Sequence, residues 1–227
     1  MAPGATLLSR RRLLTGAVAG VLPLRAPAQS DAADALLRAA ARGDLSLVGQ
    51  LLARGAPLEA RDAQERSPLL LATAANHVAV AQLLIDRGAS VNAQDQQQDS
   101  AFLLAGARGF TAIVRAALAA GADLKSTNRY GGTALIPACH YGHVETVRLL
   151  LTTAIDVNHV NRLGWTALLE AVILGDGGPA HTEIVRLLLA HGALPSLADR
   201  EGVTPLQHAL QRQQVRVAHL LRSAGAR

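Results

Sequence analysis

Cysteine is nearly absent from this chain: its 227 residues hold one, Cys139, so no intrachain disulfide can form and a disulfide-stapled scaffold is excluded. A lone thiol is compatible with either side of a membrane, so cysteine usage gives no compartment. Aromatics are almost as scarce, with Phe102, Phe110, Tyr130, Tyr141 and Trp165 making up the whole set. Charge of either sign is modest, 22 Lys and Arg against 17 Asp and Glu, while half of the chain is apolar. That apolar share excludes disorder and collagen-like sequence. Catalytic signatures are missing too: there is no Gly-rich phosphate loop, His-Glu-x-x-His, Cys-x-x-Cys or Gly-x-Ser-x-Gly.

The N-terminus carries an address. Ser9-Arg10-Arg11-Arg12-Leu13-Leu14-Thr15 is followed by an apolar stretch through Ala17, Val18, Val21 and Leu24, then by Arg25 and Ala26-Pro27-Ala28. This is a basic region, an apolar region and an Ala-x-Ala cleavage pattern. The apolar region, about a dozen residues, is shorter than the roughly 20 needed to cross a hydrocarbon core, so removal is expected rather than anchoring. Ser9, Arg10, Arg11 and Leu14 resemble the twin-arginine export signal of bacteria, with Leu13 and Thr15 departing from its usual Phe and Lys. Ordinary secretion is the alternative route, and a cytoplasmic protein with an accidental basic leader is the remaining one. Residues 1–28 are therefore expected to be a signal peptide cleaved near Ala28, delivering residues 29–227 to the periplasm of a Gram-negative bacterium. Membrane contact is expected only in transit.

Placing the charges changes their meaning. Arg10, Arg11, Arg12 and Arg25 lie in the leader, which has no acidic residue, so their removal leaves 18 basic against 17 acidic side chains. A nucleic-acid partner, which needs a basic face with several phosphate contacts, is not expected.

The rest of the chain follows a 33-residue period. Ser67-Pro68-Leu69-Leu70-Leu71-Ala72 recurs at Ser100, Thr133 and Thr166; Asp34 holds the same register upstream, and Thr204 follows Thr166 after 38 residues. Six units result, 33–65, 66–98, 99–131, 132–164, 165–202 and 203–227, with a five-residue insertion in the fifth. In each, a small polar residue is expected to cap a short helix, with Pro68 or Pro205 just inside it. Gly43, Gly109, Gly142 and Gly175 stand nine residues after the cap, where the chain must reverse and positive φ is expected. A second amphipathic helix such as Val144–Leu151 follows, closed by Gly55, Gly88, Gly121, Gly192 or Gly225. Neither helix is long enough to be stable alone, so neighbouring units must bury one another's leucines.

This spacing and these motifs resemble ankyrin repeats, over about residues 33 to 227. The resemblance implies an all-α fold, an α-solenoid of about six helix-turn-helix units with short β-turn fingers and a concave face. The positions where the family usually has a buried His hold Leu37, Leu70, Leu103, Ile136, Leu169 and Gln207, so apolar packing is expected there. Ala154 replaces the closing glycine of the fourth unit, and Gln213 replaces the joining glycine of the sixth.

The resemblance also implies which residues face the concavity: finger tips and the pair that follows each Ala-Ala step. In units three to five these are Arg129, Tyr130, His140, Tyr141, Arg162, Leu163, Trp165, Ile173 and Leu174, with Glu170 and Asp176 adding carboxylates beside the insertion Gly175–Ala180. Tyr, Trp and Arg dominate binding hot spots because they bury large areas while keeping a polar handle. The expectation is a non-enzymatic, monomeric module that binds a protein partner through this face, with no cofactor. For Trp165, packing along its own finger is the alternative, and for the insertion, a loop without chemistry.

Two further readings stay open. One is an accessory or immunity protein that supports an oxidative-stress enzyme or occupies a toxin, which some bacterial periplasmic ankyrin proteins resemble. The other is a metal-binding or hydrolytic protein centred on His140, His143, Glu170 and Asp176, with Cys139 a soft ligand for zinc or copper. Against that, Cys139 shares its register with Ala40 and Thr73, a small packed position, and His143 shares its register with His77 and His181, as a turn-stabilising residue would.

Overall fold

The computed structural model describes residues 27–227, with side chains from Ser30 onward. The described residues form twelve α-helices and no strand: α1 (Pro27–Arg42), α2 (Leu45–Ala53), α3 (Pro68–Ala74), α4 (Val78–Asp86), α5 (Ala101–Arg108), α6 (Thr111–Ala119), α7 (Leu135–His140), α8 (Val144–Leu151), α9 (Ala167–Ile173), α10 (Pro179–Ala190), α11 (Pro205–Gln211) and α12 (Val215–Ser223). Odd-numbered helices pack in one row and even-numbered helices in a second, and each successive pair rests on the last. The result is the expected solenoid of six units. The Leu36, Leu69, Phe102, Leu135 and Leu168 side chains fill one continuous core between the rows. Leu37, Leu70, Leu103, Ile136 and Leu169 are also buried, as expected of apolar residues in the histidine position, whereas Gln207 is exposed.

Caps form where the sequence places them in four units. Ser67, Ser100, Thr166 and Thr204 each accept through the side chain from the N–H three residues on. Two expected caps are not made. Asp34 lies within α1, which starts at Pro27, so it caps nothing. Thr133 fails for a local reason. In the other four units the N–H four residues beyond the cap binds the cap's carbonyl, as Leu71 does to Ser67. In unit four that residue is Pro137, which has no N–H. Ile136 N–H turns to the Thr133 carbonyl instead, at 3.2 Å, and the buried Thr133 hydroxyl is left without a partner.

The joining turns keep left-handed backbone even without glycine: Asn76 (φ 55°) and Gln213 (φ 57°) adopt what Gly43, Gly109 and Gly142 adopt. Gly175 departs from the expectation. It is Gly177 (φ 67°) that takes the left-handed conformation, while Gly175 is required for space, since a Cβ there would lie 2.1 Å from the Ala171 carbonyl. The insertion is not a loose loop either. Pro179 and Ala180 are the first two residues of α10, which runs to 12 residues where the other second helices have eight or nine. At the end of unit four, Ala154 avoids the left-handed conformation, and the Thr152 and Thr153 hydroxyls donate to the Leu149 and Leu150 carbonyls in compensation.

Most of the leader lies outside the described residues. No described helix is long and apolar enough to cross a membrane.

Candidate functional site: a concave groove over units three to five

The fingers that border the concave face are held by a recurrent side chain. Asp62, Asp95, Asn128, Asn161 and Asp199, each five residues before a cap position, accept through Oδ1 from two backbone N–H groups of their own finger. Neighbouring fingers are then tied together: Gln96 N–H donates to Gln64 O, and Arg162 N–H to Tyr130 O. At the other end of each inner helix the histidines behave as expected. His77 Nε2 bonds Ala41 O at 3.2 Å and His181 Nε2 bonds His140 O at 2.9 Å, while the Ala107 carbonyl beside His143 partly offsets the burial that lowers that ring's pKa. In unit six the Gln214 amide takes this role toward Val172 O and Gly175 O. Fingers and turns are thus fixed before any partner arrives.

Between them lies a groove of about 810 Å³, floored by α5, α7 and α9 and walled by the fingers around Arg129 and Leu163. Seven of the eleven residues picked from sequence line it: Arg129, Tyr130, His140, Tyr141, Leu163, Glu170 and Leu174. Tyr130 and Tyr141 are 51% and 59% exposed, and Leu163 and Leu174 are also open to solvent. Leu45, Leu47, Leu194 and Leu210 are exposed elsewhere on the surface, but here two tyrosines and two leucines gather around one groove, the kind of exposed apolar patch that can serve as a binding face. Arg129 lies over the Tyr130 ring at 4.8 Å, and His140 stacks on Tyr141 with centroids 4.1 Å apart.

The other four are placed differently. Arg162 donates through Nη1 to Arg129 O at 2.8 Å and ties two fingers together. Trp165 is half-buried outside the groove, its backbone closing its own finger on Asn161. Ile173, expected on the concave face, is buried at 8% exposure. Asp176 is solvent-exposed and caps the insertion, accepting from Gly178 N–H and pairing with His181 Nδ1 at 2.8 Å. Cys139 is sealed in the core, where burial pushes its thiol well above the ordinary range. No three His, Cys, Asp or Glu side chains among the described residues come together as a metal ion would need.

Glu170 is the residue whose importance the sequence only half disclosed. It is 6% exposed, yet it lines the groove. Its Oε1 accepts from Asn161 Nδ2 at 3.0 Å, and its Oε2 stands 3.6 Å from His140 Nδ1, too far for a hydrogen bond. Burial drives the carboxyl up to about 7, with the Asn161 bond opposing, and burial together with the nearby His181 drives His140 below its ordinary value. Both shifts favour the neutral form of each group, so the 3.6 Å contact is not held as an ion pair near neutral pH. In unit six the positions equivalent to Asn161 and Glu170, Asp199 and His208, meet at 2.7 Å. The recurrence of Asp or Asn at 62, 95, 128, 161 and 199 was the overlooked sequence signal that would have found these contacts.

The comparisons agree with this architecture. A family model described as "Ankyrin repeats (3 copies)" matches residues 21–95, 102–193 and 156–227. The chain is similar to the crystal structure of an ankyrin repeat domain from Acinetobacter baumannii AYE, with 54% identity and a TM-score of 0.82 over 85% of this chain and 98% of that one. The ankyrin repeat protein EF0377 is similar at 38% identity, TM-score 0.81, covering 86% and 98%. The human ASB11 ankyrin repeat domain follows at 29% identity and TM-score 0.73, covering 85% and 84%. A curated relative, the ankyrin repeat protein YahD of Escherichia coli (strain K12), is 51% identical over 57 residues, which span 25% of this chain and 28% of the relative. Six stacked helix pairs, fingers in register and a family match along nearly the whole described length have one common explanation: the chain belongs to the ankyrin-repeat family.

Proposed function

We propose that this protein is an exported, non-enzymatic binding module that holds a segment of a protein partner in the concave groove of units three to five. Ankyrin repeats are protein–protein interaction modules. The observation that carries the finer reading is the gathering of Tyr130, Tyr141, Leu163 and Leu174, all exposed, around one groove whose walls are already cross-tied. Preformed walls reduce the ordering entropy lost on association. The twin-arginine-type leader supports a periplasmic location and a periplasmic partner.

A photo-crosslinking residue substituted at Tyr141 tests the surface in living cells. It is expected to yield a discrete adduct that the same probe at exposed Arg212, outside the groove, does not yield. The double variant Tyr130→Ala/Tyr141→Ala should lose that partner in pull-down while keeping its melting temperature, because both rings are more than half exposed. Undiminished capture by the double variant refutes the surface.

A further inference from the structure

Glu170 is a nearly buried carboxyl group at the unit-five end of the groove, and its surroundings do not balance a negative charge. Asn161 serves one oxygen, and among the described residues the other has no hydrogen bond. The groups that face it are neutral or cannot pair with it: Asn161 from the finger, His140 and the sealed Cys139 from α7. Behind His140, the His181 ring is already engaged on both nitrogens, by Asp176 and by the His140 carbonyl. No Arg or Lys reaches Glu170, although the same groove carries Arg108 and Arg129 toward unit three, beside Asp99. Among its register mates Leu71, Leu104 and Pro137 are apolar, Arg38 is exposed and His208 is paired with Asp199 at 2.7 Å, so Glu170 differs from them in being a nearly buried acid that no cation meets. Transferring a carboxyl from water to such a site without a partner is costly.

We propose that the groove accepts a basic side chain, Arg or Lys, from an extended segment of the protein partner, with its cationic head on Glu170 Oε2. This rests on the groove reading given above and identifies the chemistry of what enters. Leu163 and Leu174 offer apolar surface for the aliphatic stem, and the stacked His140–Tyr141 pair presents ring faces for the cation. The groove is bipolar, acidic toward unit five and basic toward unit three, which fits a segment with a basic residue at one end and an acidic one at the other. A free amine would occupy only the acidic end and leave Tyr130 and Arg129 untouched. Because Glu170 alone holds its proton up to about 7, capture of the cation releases that proton, so binding strengthens from pH 5.5 to pH 8.

Selection of a random dodecapeptide phage library on the immobilised full chain tests this. Enriched peptides are expected to share one Arg or Lys. Replacing that Arg by neutral citrulline, or that Lys by norleucine, should weaken binding about tenfold to a hundredfold, since hydrogen bonds to charged groups are worth that much. Against Glu170→Gln the same replacement should change affinity less than about threefold. Enriched peptides that lose binding to Tyr130→Ala/Tyr141→Ala but carry no shared basic residue, or that bind equally well with citrulline, overturn the cation and leave the groove standing. A library that yields no groove-dependent peptide overturns both.

Discussion

Replacing Glu170 by Gln isolates the energetic consequence of burying this carboxyl. In the folded chain it titrates at about 7 against an ordinary value of 4.5. The folded state then binds more protons than the unfolded state across that interval, so stability falls as pH rises. The destabilisation is absent below about pH 4 and fully developed above the folded value, where it amounts to about 3 kcal/mol. Glu170→Gln keeps an amide oxygen for Asn161 and cannot ionise. The variant is therefore expected to match the wild type near pH 4.5 and to exceed it increasingly toward pH 8. At about 2 to 4 °C per kcal/mol for a domain of this size, the gap in melting temperature at pH 8 should reach roughly 6 to 12 °C. Thermal melts followed by circular dichroism from pH 4.5 to pH 8 provide the assay. Taking the difference between the two proteins cancels the histidines and the carboxylates they share. A difference that stays constant across this range would refute the argument, because a group ionised in both folded and unfolded states has no such slope.

Other outcomes follow from the same geometry. Thr133→Val removes a buried hydroxyl that has no partner and should stabilise by about 1 kcal/mol, whereas Thr166→Val removes a working cap and should cost about 1 to 2 kcal/mol; urea melts of the pair would show equal signs if the cap assignment were wrong. Gly175→Ala should cost about 2 kcal/mol or more because its Cβ would strike the Ala171 carbonyl, while Gln213→Gly should gain about 0.5 to 1 kcal/mol by relieving a left-handed non-glycine residue, both readable by the same melts. Changing Arg10 and Arg11 together to Lys in the full chain should leave unprocessed protein in the cytoplasm, seen on a fractionated immunoblot; normal processing would exclude twin-arginine export.

Much of the fold was legible in the sequence because a repeat states each rule several times. The 33-residue period, the caps at Ser67, Ser100, Thr166 and Thr204, and the burial of Leu37, Leu70, Leu103, Ile136 and Leu169 all follow from patterns that recur. Misreadings fell where one unit departs from the others. Pro137 disables the Thr133 cap through a hydrogen bond that four other units make, and Gly175 serves a close contact instead of a turn. Ile173 is buried at a position where Ala41, Ala74 and Gln211 are exposed and Ala107 and His140 are half-buried.

The sequence by itself determined the architecture and the register, and it pointed to the neighbourhood of the proposed groove, since periodic burial and turn chemistry are local and repeat along the chain. Tertiary structure decided which of eleven candidates share a groove. It placed Arg162, Trp165, Ile173 and Asp176 outside the groove and left Tyr130 and Tyr141 in the open within it. It also decided the chemistry of Glu170. A carboxyl's charge depends on the water and partners around it, and those were set by a finger and a neighbouring helix rather than by its own sequence surroundings.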